Sequence, residues 1–168
     1  MKGLRKPARA AGEAPELGVA CRVQCDVAGG GGIGGGQRAT GSEGQGPGLG
    51  AQGGQFFGWR FLAKGHALMS HPYSLSAAPT EKHLRITVKD LGDHSRSLAF
   101  LKPGTRVFVE GPYGAFTAGR STQPHVVLVG GGVGITPIRA LMDELKGGVQ
   151  MDVLFRASKE EDLVLKAE

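Results

Sequence analysis

Residues 125–137 restrict the fold more than any other stretch of the chain. After His125, Val126-Val127-Leu128-Val129 is an unbroken apolar run, as in a strand buried on both faces. It passes directly into Gly130-Gly131-Gly132-Val133-Gly134-Ile135-Thr136-Pro137, where Thr136 reads as an N-cap and Pro137 as the first helical residue. Ile138, Leu141, Met142 and Leu145 then recur at i, i+3, i+4 and i+7, on one helical face. Gly147-Gly148 stops that helix, and Val149 to Phe155 supplies a second strand. Strand, glycine loop, helix and strand make a βαβ unit. Such a loop suits a phosphate, because glycine lets backbone N–H groups approach an anion that the helix dipole also favours. The spacing is not G-x-G-x-x-G, since Pro137 stands where the last glycine would fall. The alternative, a tight turn using glycine only for packing, needs fewer glycines than this loop has. Past the second strand, Arg156 and Lys159 offer cations where a carboxylate would bind a ribose 2′-OH. That favours NADP over NAD, although both cations also suit a solvated surface.

Upstream, the texture is that of short antiparallel strands. Gln55 to Leu62 is rich in aromatics and reads as a strand closed by Gly65. His71 to Ala77 is a second short strand, stopped by Pro79. Residues 83–90 alternate clearly, with Leu84, Ile86 and Val88 on one face and Arg85, Thr87 and Lys89 on the other. Leu91-Gly92-Asp93-His94-Ser95 reads as a turn into a short helix that pairs Leu98 with Leu101 and ends at Pro103-Gly104. Val107 and Val109 continue as a strand into Gly111-Pro112-Tyr113-Gly114. Strands of this kind with one helical insert suggest a small barrel.

The first 50 residues are different. Fifteen of the 30 glycines lie there, including the tract Gly29 to Gly36, and the first aromatic residue of the chain is Phe56. Such a segment buries little apolar area against its ordering entropy, so residues 1–52 are expected to form a disordered leader without strands. The glycines show no period of three, which excludes collagen. No apolar run approaches the roughly 18–20 residues that span a membrane. Glu13 and Glu16 interrupt any signal-peptide core behind Lys2, Arg5 and Lys6. Cys21 and Cys25, the only cysteines, offer neither a disulfide framework nor a complete zinc site, and the chain reads as cytoplasmic. The net charge of +5 comes from scattered Lys and Arg, which points to a basic surface rather than to nucleic acid.

Taken in order, the motifs form a recognisable series. Gly54-Gln55-Phe56 is followed by His71-Pro72-Tyr73-Ser74-Leu75-Ser76, Gly92-x-x-Ser95, Gly111-Pro112-Tyr113-Gly114 and the loop of residues 130–137. This series resembles the ferredoxin–NADP reductase superfamily, with its FAD-binding FR-type domain, over about residues 53–168. The His-Pro form at His71, where most soluble members carry arginine, resembles the ferric reductase and NADPH oxidase branch.

The resemblance implies an α+β two-part module. An antiparallel β-barrel for FAD (residues 53–120, lacking its first strands) precedes an incomplete α/β domain for the nicotinamide nucleotide (residues 121–168). It implies that NADPH gives a hydride to FAD, which passes electrons to a haem or ferric iron. Ser74 would act at flavin N5, with Tyr73 against the ring system. His71, Pro72 and Leu75 would complete that strand's contacts, and Thr87, Val88 and Lys89 would line the adenylate side. Ser95 and the start of its helix would hold the pyrophosphate, helped by Arg96. Gly130, Gly131, Gly132, Val133, Gly134, Ile135, Thr136 and Pro137 would cradle the nicotinamide nucleotide, with Arg156 reading the 2′-phosphate. The branch carries a haem-bearing membrane region in its parent proteins, which places the module at the inner face of a membrane; this chain shows no span of its own. Two parallel strands alone leave unpaired edges, so the pattern predicts a truncated member whose leader suits a GC-rich coding sequence read out of frame. The alternative function is a catalytically silent fragment of such a reductase.

Overall fold

The computed structural model describes residues 4–5, 19–26, 50–80, 83–102, 105–159 and 165. In chain order the elements are β1 (Leu4–Arg5), β2 (Val19–Asp26), β3 (Phe56–Phe61), β4 (His71–Ser74) and β5 (His83–Lys89), then α1 (Asp93–Ser97), which runs into a 3-10 turn over Leu98–Phe100. They continue as β6 (Arg106–Tyr113), β7 (His125–Gly131), α2 (Ile135–Leu145) and β8 (Gln150–Arg156). Six strands form an antiparallel sheet ordered β4-β3-β6-β1-β2-β5, while β7 and β8 form a separate parallel pair. No described helix is long and apolar enough to cross a membrane.

Two expectations are corrected. The antiparallel part is not a barrel: its sheet is open, with β4 and β5 at opposite ends. These ends meet only at a single bridge, Leu75 to Ile86, and not along a ladder. The reason lies in β4, which is four residues long and contains Pro72, a residue with no N–H to donate. Such a strand cannot zip along the seven residues of β5. The second correction concerns the leader, which does supply strands. β2 pairs with β5 from Val19↔Lys89 to Asp26↔His83, and β1 pairs with both β2 and β6. The signal was a local alternation, Val19, Cys21, Val23 and Cys25 against Ala20, Arg22, Gln24 and Asp26, masked by the glycine content around it. The Gly29–Gly36 tract, expected to be disordered, lies outside the described residues.

The pleat decides the first core. Phe57, Trp59 and Phe61 fall on the inner face of β3, and Leu84, Ile86 and Val88 on that of β5, all buried together with Leu75, Leu98 and Val107. A second core forms where α2 packs Ile138, Leu141 and Leu145 on Leu128 of β7. Helix α2 also reaches the first core through Ala140, so one helix serves both. It starts at Ile135, earlier than the expected cap at Thr136; the Thr136 hydroxyl instead donates to the Val133 carbonyl at 3.0 Å. Pro137 is tolerated in that first turn because its missing N–H has no intrahelical partner there. Gly147, at φ +88°, lies just past the helix end.

Gly53 lets the chain before β3 approach α2, and Gly54 lets it approach the backbone at Phe116. A Cβ on Gly53 would lie 2.5 Å from the Ala140 carbonyl oxygen, and one on Gly54 would lie 1.9 Å from that of Phe116. The Gly53 N–H also donates to Glu144 of α2. Gly54 has φ +87°, so Gly54→Ala should lose about 1–3 kcal/mol from backbone strain, before any cost of the overlap with Phe116. Urea unfolding measures this; an unchanged midpoint would contradict the packing described.

Candidate functional site

A cavity of about 560 Å³ lies where β4, β5, the loop after β5 and the glycine loop converge. That volume is ordinary for a small-molecule site. His71, Pro72, Tyr73 and Ser74 form one wall. They are held there by β3, whose Phe56, Phe57 and Trp59 register against Ser74, Tyr73 and His71. The buried Trp59 indole also donates from Nε1 to the Tyr73 carbonyl at 3.1 Å, tying the core to the cavity wall. Leu75, next in line, is fully buried in the first core and is not part of the wall.

Thr87, Val88 and Lys89 of β5 form a second wall. The Thr87 hydroxyl donates to Ser76 Oγ at 2.9 Å, so its hydrogen is engaged inside the protein. The following loop closes on Ser95, whose Oγ accepts the Leu91 N–H at 2.8 Å and donates to the Gly92 carbonyl at 2.9 Å. Ser95 therefore reaches the cavity with its hydroxyl already shaping the loop. Arg96 lies outside the walls and donates from Nε to Asp90 at 2.8 Å. That hydrogen bond holds the Asp90 carboxyl below its ordinary range.

The glycine loop closes the cavity with Val133, Gly134, Thr136 and Pro137. Its glycines differ in role. A Cβ on Gly130 would lie 2.7 Å from Ile138 Cδ1, so Gly130 serves the packing of α2 on β7. Gly132 takes φ +53°, and added Cβ atoms at Gly131, Gly132 and Gly134 would meet nothing within 4 Å, which leaves this backbone open to approach. Gly130, Gly131, Gly132 and the buried Ile135 do not line the cavity, and neither does Arg156, which is exposed opposite Gly131 at the end of β8.

Gly92, expected beside a nucleotide, lines the wall, and so do three residues not singled out as contacts: Leu91, Asp93 and His94. Gly92 was visible through its Gly-x-x-Ser spacing. His94 was not, because a histidine in a turn carries no periodic signal. Its ring stacks on that of His71, with centroids 3.6 Å apart, and has His66 on another side at 4.9 Å. Burial lowers the His94 pKa, and the neighbouring His71 and His66 lower it further. Among the described residues no group of three or more His, Cys, Asp or Glu side chains is arranged to hold a metal ion.

No family model matches the chain. A flavohemoprotein of Xylella fastidiosa is 38% identical over 98 residues, which cover 56% of this chain and 24% of that protein. The Na(+)-translocating NADH-quinone reductase of Neisseria gonorrhoeae has a component, its F chain, that is 31% identical over 101 residues, covering 52% of this chain and 25% of that component. The chain thus spans about a quarter of the length of these curated relatives. In three dimensions it resembles the flavohem-like FAD/NAD binding domain of nitric oxide dioxygenase from Vibrio cholerae. That likeness has a TM-score of 0.66 at 23% identity, over 96% of this chain and 66% of the other.

Proposed function

Since the chain matches the FAD- and NAD(P)-binding ferredoxin-reductase-like proteins at superfamily level, we propose that it is an electron-transfer oxidoreductase module that holds FAD in this cavity and draws hydride from NADPH. The observation that carries the reading is convergence. Tyr73, Ser74, Ser95 and Thr136 belong to motifs spread over more than sixty positions, yet all line one cavity.

The residues present fit a flavin. Tyr73 offers an aromatic face to a flat heterocycle. Ser74, next on the same strand, would offer a hydroxyl to the ring system. Lys89, with Val88 beside it, would line the adenylate side, and Ser95 would hold the pyrophosphate, its hydroxyl turning from the Gly92 carbonyl to do so. Thr136, Gly134 and Pro137 border the nicotinamide nucleotide, with the open backbone at Gly131 and Gly132 free to approach its phosphates. When bound, FAD supplies two-electron acceptance and one-electron release; the chain's own residues position it and exclude water. In this reading residues 53–120 serve the flavin and residues 121–168 the nicotinamide nucleotide. A haem or ferric iron is the acceptor, and the setting is cytoplasmic.

Arg156 sets the donor preference by pairing with a 2′-phosphate. Anaerobic addition of NADPH to the FAD-loaded chain should bleach the flavin absorbance faster than NADH does. Arg156→Ala should narrow that preference by about tenfold, the worth of one charge-assisted contact. An unbleached flavin would remove the nicotinamide donor from the reading, and an unchanged preference would remove the role of Arg156.

A further inference from the structure

Three histidines from three separate elements meet beside the cavity. His66 comes from the turn after β3, His71 from β4 and His94 from α1. The His71 and His94 rings are nearly parallel, 26° apart with centroids at 3.6 Å, and the His66 ring follows at 4.9 Å from His94. One nitrogen of each ring is buried and has no hydrogen-bond partner: His66 Nδ1, His71 Nε2 and His94 Nε2. Unpaired buried nitrogens are uncommon, and three in neighbouring rings call for a reason.

The tautomer of His66 follows from its surroundings. Ser97 Oγ donates its single hydrogen to the His94 carbonyl at 2.7 Å, so in its 3.2 Å contact with His66 Nε2 it can only accept. His66 Nε2 therefore carries the ring's proton, and Nδ1 is left as a buried lone pair with no partner. The cluster thus holds an acceptor with nothing to accept.

We infer that His66, His71 and His94 act as one proton-binding cluster that charges when a phosphate-bearing ligand enters the cavity, so that binding takes up a proton from solvent. The inference rests on the FAD reading above. In the free protein a charge on His94 is disfavoured by burial and by the neighbouring His71 and His66. Among the described residues no carboxylate is hydrogen-bonded to any of the three rings. Asp90 is bonded to Arg96, while Asp93 and Lys89 line the cavity at other points of its wall. The Tyr73 ring is 6.4 Å from that of His71. A pyrophosphate at Ser95 brings negative charge next to His94, and the added proton settles on one of the buried imidazole nitrogens that have no partner. No electrons move and no bond to the ligand forms. Stacked rings at this distance cannot both be charged cheaply, so the limit is one proton per ligand.

Linkage sets the direction of the pH dependence. The bound form holds more protons than the free form, so affinity rises as pH falls through the interval between their titrations. The slope there is at most about tenfold per pH unit. Riboflavin, which carries no phosphate, lacks the coupling.

The test is calorimetric titration of the full chain with FAD and with riboflavin, from pH 6 to 8, in two buffers of different ionisation heat. FAD should bind with uptake approaching one proton and with affinity rising toward low pH. Riboflavin should show neither effect, and His94→Phe should abolish both for FAD. If His94→Phe does not fold, the contrast between FAD and riboflavin on the unaltered chain still decides. FAD binding without proton uptake, or equal uptake with riboflavin, would overturn the cluster's role while leaving the flavin reading intact. Failure of both flavins to bind at any pH would overturn the flavin reading and this inference together.

Discussion

Trp59→Ala should lower the unfolding free energy by about 3–5 kcal/mol, the range for truncating a large buried aromatic residue. Trp59 is fully buried between Phe57 and Phe61, with ring centroids at 6.3 and 6.5 Å. Truncation leaves a void in the first core that β3 cannot fill, because the neighbouring rings are fixed by the pleat. It also removes the hydrogen bond from Nε1 to the Tyr73 carbonyl, which holds β4 in place. Arg60→Ala, on the exposed face of the same strand, should change stability by no more than about 0.5 kcal/mol. Since Trp59 is the only tryptophan, unfolding is followed by circular dichroism rather than fluorescence. Equal midpoints for the two variants would contradict the assignment of Trp59 to the centre of the core.

The second large effect concerns the site. Tyr73→Ala should weaken FAD binding by about 5- to 150-fold, because stacking a flat heterocycle on an aromatic ring is worth about 1–3 kcal/mol. Tyr73→Phe keeps the ring and should retain most of the affinity. Tyr73 is half-buried and packs against the first core, so the unfolding curves of both variants are needed beside the titrations. FAD binding to a folded Tyr73→Ala chain as tight as to the unaltered chain would show that this wall does not meet the flavin ring.

Features written in local periodicity were legible before the structure. The alternation of residues 83–90 became β5 with Leu84, Ile86 and Val88 buried, and the apolar run at 126–129 became β7 leading into the glycine loop and α2. Val127 and Val129 are exposed, however, so that strand is buried on one face and not on both. Features that depend on distant pairing were not. Whether a sheet closes is set by the length of its end strands and by proline, and Pro72 in a four-residue β4 leaves this one open. β2 was hidden because a glycine-rich context outweighed eight residues of alternation. Leu75 adjoins the cavity strand in sequence but lies beyond the end of β4 and is fully buried in the first core. His94 looked like a turn residue until β4 placed His71 against it.

The central claim is that one chain holds one FAD between β4, β5 and the glycine loop. Titration of the purified full chain with FAD, followed by removal of free flavin and measurement of bound visible absorbance, tests it most directly. Saturation at one FAD per chain is the expected result, with binding weakened by Tyr73→Ala and preserved by Arg60→Ala. A chain that is folded by circular dichroism yet retains no flavin at saturating FAD would contradict it.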